Sequence, residues 1–260
     1  MKKIYLNVAN LTIKIEFTKT EFPVYRNYVY KVLYDFFNNF LLSKTDKKIS
    51  WTIKFINPKE KIKILSTDTN EFFINLYTIK NKTSFIPYST AGIPIVTAIN
   101  HTLFYLVKEN GLLAIHSSSV LINDKVFIFI GPENAGKTTV KNFLKDKFKP
   151  IMDDCIIINK DENNKILAFQ TPFLDKDPNI LKQPLGYKIH SFYFLKKSNN
   201  FKIKKIKNKI LISNLLLENF HVKPKNLSLL ANIINNYTFY SLEFKNNKKN
   251  FLSNFFYQTQ

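Results

Sequence analysis

Glycine is scarce in this chain, and so are arginine, cysteine, methionine and tryptophan. Among 260 residues there are 5 Gly, 2 Met, 1 Cys and 1 Trp, and Arg26 is the only arginine. A single cysteine, Cys155, excludes a disulfide within the chain and suits a reducing compartment; inside an apolar run it reads as a buried structural thiol. No apolar run approaches the length needed to cross a bilayer. Downstream of Met1-Lys2-Lys3, the residues Asn7, Asn10 and Lys14 interrupt the apolar stretch, which makes a poor signal peptide. The expectation is a soluble, cytoplasmic protein. Arginine's rarity also bears on the formal net charge of +20, which by itself invites a nucleic-acid reading. The excess is lysine, and it rises together with Asn, Ile and Phe, as an AT-rich coding sequence would produce. The densest cluster, Lys202 to Lys209, alternates with isoleucine and reads as a solvated edge strand whose lysines discourage strand pairing. A nucleic-acid-associated ATPase is therefore a minor reading.

What is present is enough apolar material for a core: hydrophobic residues make up 45% of the chain, including 25 Phe and 13 Tyr. Length allows one large domain or two smaller ones. Residues 4–17 alternate like strands around a turn at Ala9-Asn10. Tyr28, Val32, Phe36 and Phe40 recur at helical spacing over 27–42. Trp51, Ile53 and Phe55 alternate as a strand, and Ile62, Ile64 and then Phe73, Ile74, Leu76 suggest two more. Ser84 to Pro94 reads as a connection. A helix is expected from Ile93 to Glu109, stopped by Asn110-Gly111. Then come strands at Leu112–His116 and Phe127–Ile130, a helix at Lys137–Lys145, a strand over Ile151–Ile158 with two acids at its head, and strands at Ile166–Phe169 and Phe192–Leu195. Helices around Leu211–Phe220 and Leu227–Asn236, a strand at Thr238–Phe244 and a helix near Phe251–Phe256 close the chain.

Two of the scarce glycines share one run. Gly131-Pro132-Glu133-Asn134-Ala135-Gly136-Lys137-Thr138-Thr139 reads G-x-x-x-x-G-K-T and comes directly after an apolar strand, the pattern of a phosphate-binding loop. Gly131 permits the sharp exit from the strand, and Gly136 lets backbone approach phosphate without a side-chain clash. Successive amides and the start of the next helix would surround the phosphate oxygens. Lys137 would reach the β- and γ-phosphates and the Thr138 hydroxyl would bind Mg2+. The side chains of Ala135, Thr139 and Val140 are expected only to pack. An ordinary strand–turn–helix is the bland alternative. No guanine-specificity motif N-K-x-D and no ATP-cassette signature accompanies the loop.

Three further elements sit at suggestive distances: His116-Ser117-Ser118-Ser119 upstream, Asp153-Asp154 downstream, and Thr171-Pro172-Phe173. A carboxylate beside the loop can hold Mg2+ through water, and one near the γ-phosphate can accept a proton from an attacking hydroxyl. Neighbours on a strand point to opposite faces, so the two aspartates need not act alike. His116 could bond a phosphate or orient a carboxylate. His101, His190 and His221 have no such neighbours and read as structural.

The order histidine, small residues, strand, strand, G-x-x-x-x-G-K-T, helix, Asp-Asp resembles the HPr kinase/phosphorylase superfamily, whose catalytic domain shares a fold with phosphoenolpyruvate carboxykinase. The resemblance covers about residues 92–200. It implies an α/β catalytic domain with a mixed sheet over 92–260, preceded by an N-terminal α+β lobe over 1–91 that would recognise substrate or partner. It implies an ATP- and Mg2+-dependent kinase in which His116, Lys137, Asp153 and Asp154 are catalytic. Gly131 to Thr139 would bind the nucleotide, Thr138 and Asp154 the metal, and one of Asp153 and Asp154 would be the base; the choice between them stays open. The family's later signature E-x-R-G-x-G is missing; Gln170-Thr171-Pro172-Phe173 stands roughly there. With no arginine nearby, transfer-state charge falls to Mg2+, Lys137 and Lys196 or Lys197. HPr is then a poor substrate, and a peptide, protein or small-molecule hydroxyl a better one. A nucleotide-binding scaffold or switch without turnover is the alternative function.

Overall fold

The computed structural model describes residues 4–19, 23–57, 78–88, 90–173, 177, 179–219 and 224–259. The expected strands around Ile62–Ile64 and Phe73–Leu76, and His221, lie outside them. The protein is a mixed α/β structure with two mixed sheets and six α-helices among the described residues, divided into units Met1–Leu106 and Val107–Gln260. None of these helices is long and apolar enough to cross a membrane.

In the first unit, β1 (Ile4–Val8) and β2 (Leu11–Phe17) form a hairpin whose turn residues Ala9 and Asn10 have φ of 49° and 66°. This is the left-handed turn that matches strand twist, usually made with glycine. A glycine-poor chain makes it with asparagine, and does so again at Asn81-Lys82 and Asn123-Asp124. Helix α1 (Pro23–Phe37) buries Val29, Val32, Leu33 and Phe37, one face at 3–4-residue spacing. It leads through β3 (Leu41–Leu42) to β4 (Ile49–Ile56), parallel to β2. The strands β5 (Thr78–Lys80) and β6 (Thr83–Pro87) complete the order β3-β1-β2-β4-β6-β5. Part of the stretch expected as a connection is thus strand β6. Its Ser84 is fully buried and satisfied by Trp51 Nε1 (3.0 Å) and by the Thr102 hydroxyl (3.0 Å) on α2 (Ile93–Glu109). The boundary between the units falls inside α2, which ends where Gly111 takes φ 76°.

The second unit is built on β7 (Leu113–Ile122), β8 (Lys125–Ile130), β9 (Lys149–Met152), β10 (Cys155–Lys160), β11 (Ile166–Phe169), β12 (Gly186–Lys197), β13 (Lys202–Lys205) and β14 (Thr238–Phe244). The order is β11-β10-β7-β8-β12-β14-β13, with β9 pairing β7. Strands β8, β12 and β14 are parallel; β7 runs against β8, and β10 against β7. Alternation sorts the side chains. Val126, Ile128, Ile130, Phe192, Phe194 and Phe239 point to one face, under α4 (Lys209–Asn219) and α5 (Leu227–Asn236). Phe127, Phe129, Tyr193, Leu195, Leu242 and Phe244 point to the other, under α3 (Lys137–Leu144) and α6 (Lys248–Thr259). The central strands are buried on both sides, which is why they read as unbroken apolar runs. β13 is an edge strand with three exposed lysines, as its alternation predicts.

Two strand expectations are corrected. β7 runs through the serines to Ile122 rather than ending at His116, with Ser117, Ser118 and Ser119 fully buried. The single strand over Ile151–Ile158 is two, β9 and β10, and Asp153-Asp154 forms the bend between them. The aspartates therefore owe their different directions to a chain bend, not to strand alternation.

Candidate functional site

Strand β8 ends at Ile130, and the loop Gly131–Gly136 carries the chain into α3. A Cβ on Gly131 would lie 2.8 Å from Ala135 Cβ, and one on Gly136 would lie 2.7 Å from Phe244 Cζ. Gly136 also has φ 99°. Both positions are closed to side chains, as the motif requires. Asn134 at φ 61° and Gly136 flank Ala135, whose φ is not positive. Such alternation lets consecutive amides converge on an anion.

Lys137 is buried, and its Nζ donates to the carbonyls of Gly131 (2.7 Å) and Pro132 (2.9 Å). The ammonium thus sits inside the loop. Ser118 Oγ donates to the Lys137 carbonyl at 2.7 Å, fastening the start of α3 to β7.

A cavity of about 660 Å³ opens over this loop. His116, Glu133, Asn134, Gly136, Lys137, Thr138 and Thr139 form one side of its lining. Gly131, Pro132 and Ala135 shape the loop without lining the cavity, and Ala135 and Val140 are buried, as expected of packing residues. Thr139 lines the cavity, unlike its packed neighbours Ala135 and Val140. The opposite wall comes from the loops after β12 and β14: Lys197, Ser198, Asn199, Lys245 and Asn246, with Phe244 beneath. Lys197 lines the cavity and Lys196 does not.

The two aspartates have separate surroundings. Asp153 is buried, and its Oδ2 lies 3.0 Å from Lys141 Nζ. Lys141, 1% exposed, also meets Asp177 Oδ2 at 2.9 Å. Burial works against the Lys141 charge, but the hydrogen bonds to Asp177 and Asp153 outweigh it and its pKa is raised. The bond from Lys141, aided by the Asn179 amide, holds the Asp177 carboxyl below the ordinary range. Asp154 is about one-third exposed, and its Oδ1 lies 3.2 Å from Nδ1 of His116, which itself lines the cavity. The Asp154 carbonyl accepts from the Ser117 amide at 3.0 Å, holding the bend against β7. With Nδ1 beside the Asp154 carboxylate, the His116 imidazole makes a pair of the kind that can pass a proton.

Neighbouring residues hold this arrangement in place. Gln170 is buried and donates to the Ile151 carbonyl (2.7 Å), while its Oε1 accepts from the Gln183 amide (2.9 Å). Thr171 Oγ1 donates to the Cys155 carbonyl at 3.0 Å. The Gln170-Thr171 stretch is therefore a brace. Cys155 is buried and unpaired by disulfide, and burial pushes its thiol far up, so it is inert. His190 stacks on Phe127 with centroids 4.2 Å apart, and burial lowers its pKa.

Among the described residues no three His, Cys, Asp or Glu side chains cluster as a preformed metal site. Mg2+ does not need one; it uses one or two protein groups, phosphate oxygens and water. Neither aspartate lines the cavity. Thr138, which does, and Asp154, partly exposed beside the lining residue His116, offer the oxygen donors that sparse demand calls for, whereas Asp153 already faces an ammonium.

No family model matches the chain, and no curated protein matches it. Among solved structures, it is similar to the HPr(Ser) kinase/phosphatase from Coxiella burnetii, with 12% identity and a TM-score of 0.33 over 56% of this chain and 93% of that one. A likeness that slight carries no argument about activity.

Proposed function

We propose that this protein is an ATP-dependent phosphotransferase acting on a hydroxyl acceptor. The observation that supports it best is one cavity lined by the glycine loop with Lys137 and Thr138 and by His116, which is paired with Asp154. The triphosphate would lie against the loop amides, with Lys137 exchanging its two carbonyl partners for phosphate oxygens. Mg2+, held through Thr138 and Asp154, would neutralise phosphate charge as it builds. The acceptor oxygen attacks the γ-phosphorus, the bond to the β-phosphate oxygen breaks with its electron pair leaving on ADP, and the hydroxyl proton passes to the Asp154–His116 pair. Asp153 is left to structure, because Lys141 holds it.

The test is calorimetry with Mg·ATP, then transfer of labelled γ-phosphate to serine-bearing peptides and small hydroxyl compounds. Binding that is lost in Lys137→Ala, and transfer that is lost in Asp154→Asn, is the expected result. Undisturbed binding in Lys137→Ala rejects the reading. Binding without transfer to any acceptor favours a nucleotide-dependent switch.

A further inference from the structure

The three parallel strands β8, β12 and β14 end on the same edge of the sheet, at Ile130, Lys197 and Phe244. On the other side of β8, β7 and the bend before β10 bring His116 and Asp154 to that edge. The sheet edge therefore carries, in order, an acid–base pair, the glycine loop and a second wall of lysine and asparagine. In-line transfer puts the attacking and leaving oxygens on opposite sides of the γ-phosphorus. The acid–base pair takes the attacking side, so the leaving side faces the second wall.

We propose that this wall is the nucleoside subsite, with Lys197 and Lys245 on the inner phosphates and the Asn199 and Asn246 amides reading the base or ribose. The proposal rests on the function given above and names where the rest of the nucleotide lies. Both lysines and both asparagines are exposed to the cavity. A side-chain amide offers a donor and an acceptor together, which matches the edge of a purine. The aromatic ring at hand, Phe244, is 3% exposed and packed under Gly136, so the base is held by hydrogen bonds rather than by stacking on it. The wall is held in place from within. The Ser198 amide donates to the Phe244 carbonyl (3.0 Å), the Asn200 amide to Ser198 Oγ (3.2 Å), and the Asn247 amide to the Lys245 carbonyl (2.7 Å). The first bond ties the two loops together and the other two hold each turn, which fixes the backbone that carries Asn199 and Asn246.

The experiment compares Mg·ATP with Mg·tripolyphosphate on the full chain, for the wild type and for Asn199→Ala/Asn246→Ala, by calorimetry. Wild type should bind ATP about tenfold more tightly than tripolyphosphate, about the worth of one good hydrogen bond. The double variant should lose that advantage while its tripolyphosphate affinity stays unchanged. A thermal melt matching wild type shows that the variant folds, and Asn199→Leu/Asn246→Leu serves as a second, uncharged and size-preserving variant with the same expected loss. Unchanged preference for ATP in both variants overturns the subsite and leaves the loop reading intact. Equal losses for ATP and tripolyphosphate also overturn it. If the wild type binds neither ligand, the loop reading itself falls, and the subsite with it.

Discussion

Lys141 decides what Asp153 can do. It is one helical turn beyond Lys137, on the same buried stripe of α3 as Val140 and Leu144. Its ammonium bridges Asp153 and Asp177 while only 1% exposed. Lys141→Met should therefore destabilise the fold by about 3–5 kcal/mol, because two carboxylates lose their buried partner; urea denaturation measures this. The pH dependence comes from the shifts. Asp177 has a depressed pKa, so its contribution is present above about pH 4 and is lost as acid protonates it. Lys141 has a raised pKa, so its contribution holds below about pH 10.4 and is lost as alkali neutralises it. Between those limits the triad adds a flat term, and Lys141→Met should flatten the acid limb. The aspartates themselves should separate cleanly. Asp154→Asn should slow transfer by roughly 10²–10⁴-fold with little change in the melt, whereas Asp153→Asn should lower the melt. At this scale short motifs in the sequence point to the glycine loop and His116, which share one cavity, and to the aspartate pair, neither member of which lines it. Lys141 and Asp177 are far apart in sequence and belong to no motif. The visible clue was a lysine on the apolar stripe of a helix, where an ammonium needs an acid.

The turn between β8 and α3 depends on contacts from a distant element. Gly136 is held at φ 99°, and a Cβ there would run into the ring of Phe244, which ends β14. Gly136→Ala should weaken the Mg·ATP binding proposed above and cost at least about 1 kcal/mol from the left-handed backbone alone. Adding Phe244→Leu should restore only part of the loss, since it relieves the 2.7 Å contact but not the dihedral; a double-mutant cycle in thermal melts and Mg·ATP titrations separates the two. Elements with clear periodicity, such as α2 at Ile93–Glu109 and β14 at Thr238–Phe244, were readable to the residue. Those that hid did so for physical reasons. Ser117–Ser119 show no apolar alternation, yet they pack inside β7, where small side chains let α3 and β9 approach. The bend at Asp153-Asp154 was invisible because apolar residues flank it on both sides.

The whole molecule carries a formal charge of +20, spread over many surface lysines. Self-repulsion of that size should make stability depend on salt. Raising NaCl from about 10 mM to about 150 mM shortens the screening length from about 30 Å to about 8 Å. The melting temperature should then rise by about 2–4 °C, the shift expected from about 1 kcal/mol in a chain of this size; differential scanning fluorimetry reads it directly. The architecture has a further consequence. Adjacent strands lie about 4.8 Å apart, so the three steps from β7 through β8 and β12 to β14 span about 14 Å. Hydrogen bonding between strands fixes this distance as firmly as the marks on a ruler. On the proposed function, a donor one phosphate longer or shorter than a triphosphate would be out of step at one end of it, so phosphate count would bear on binding as much as base identity does.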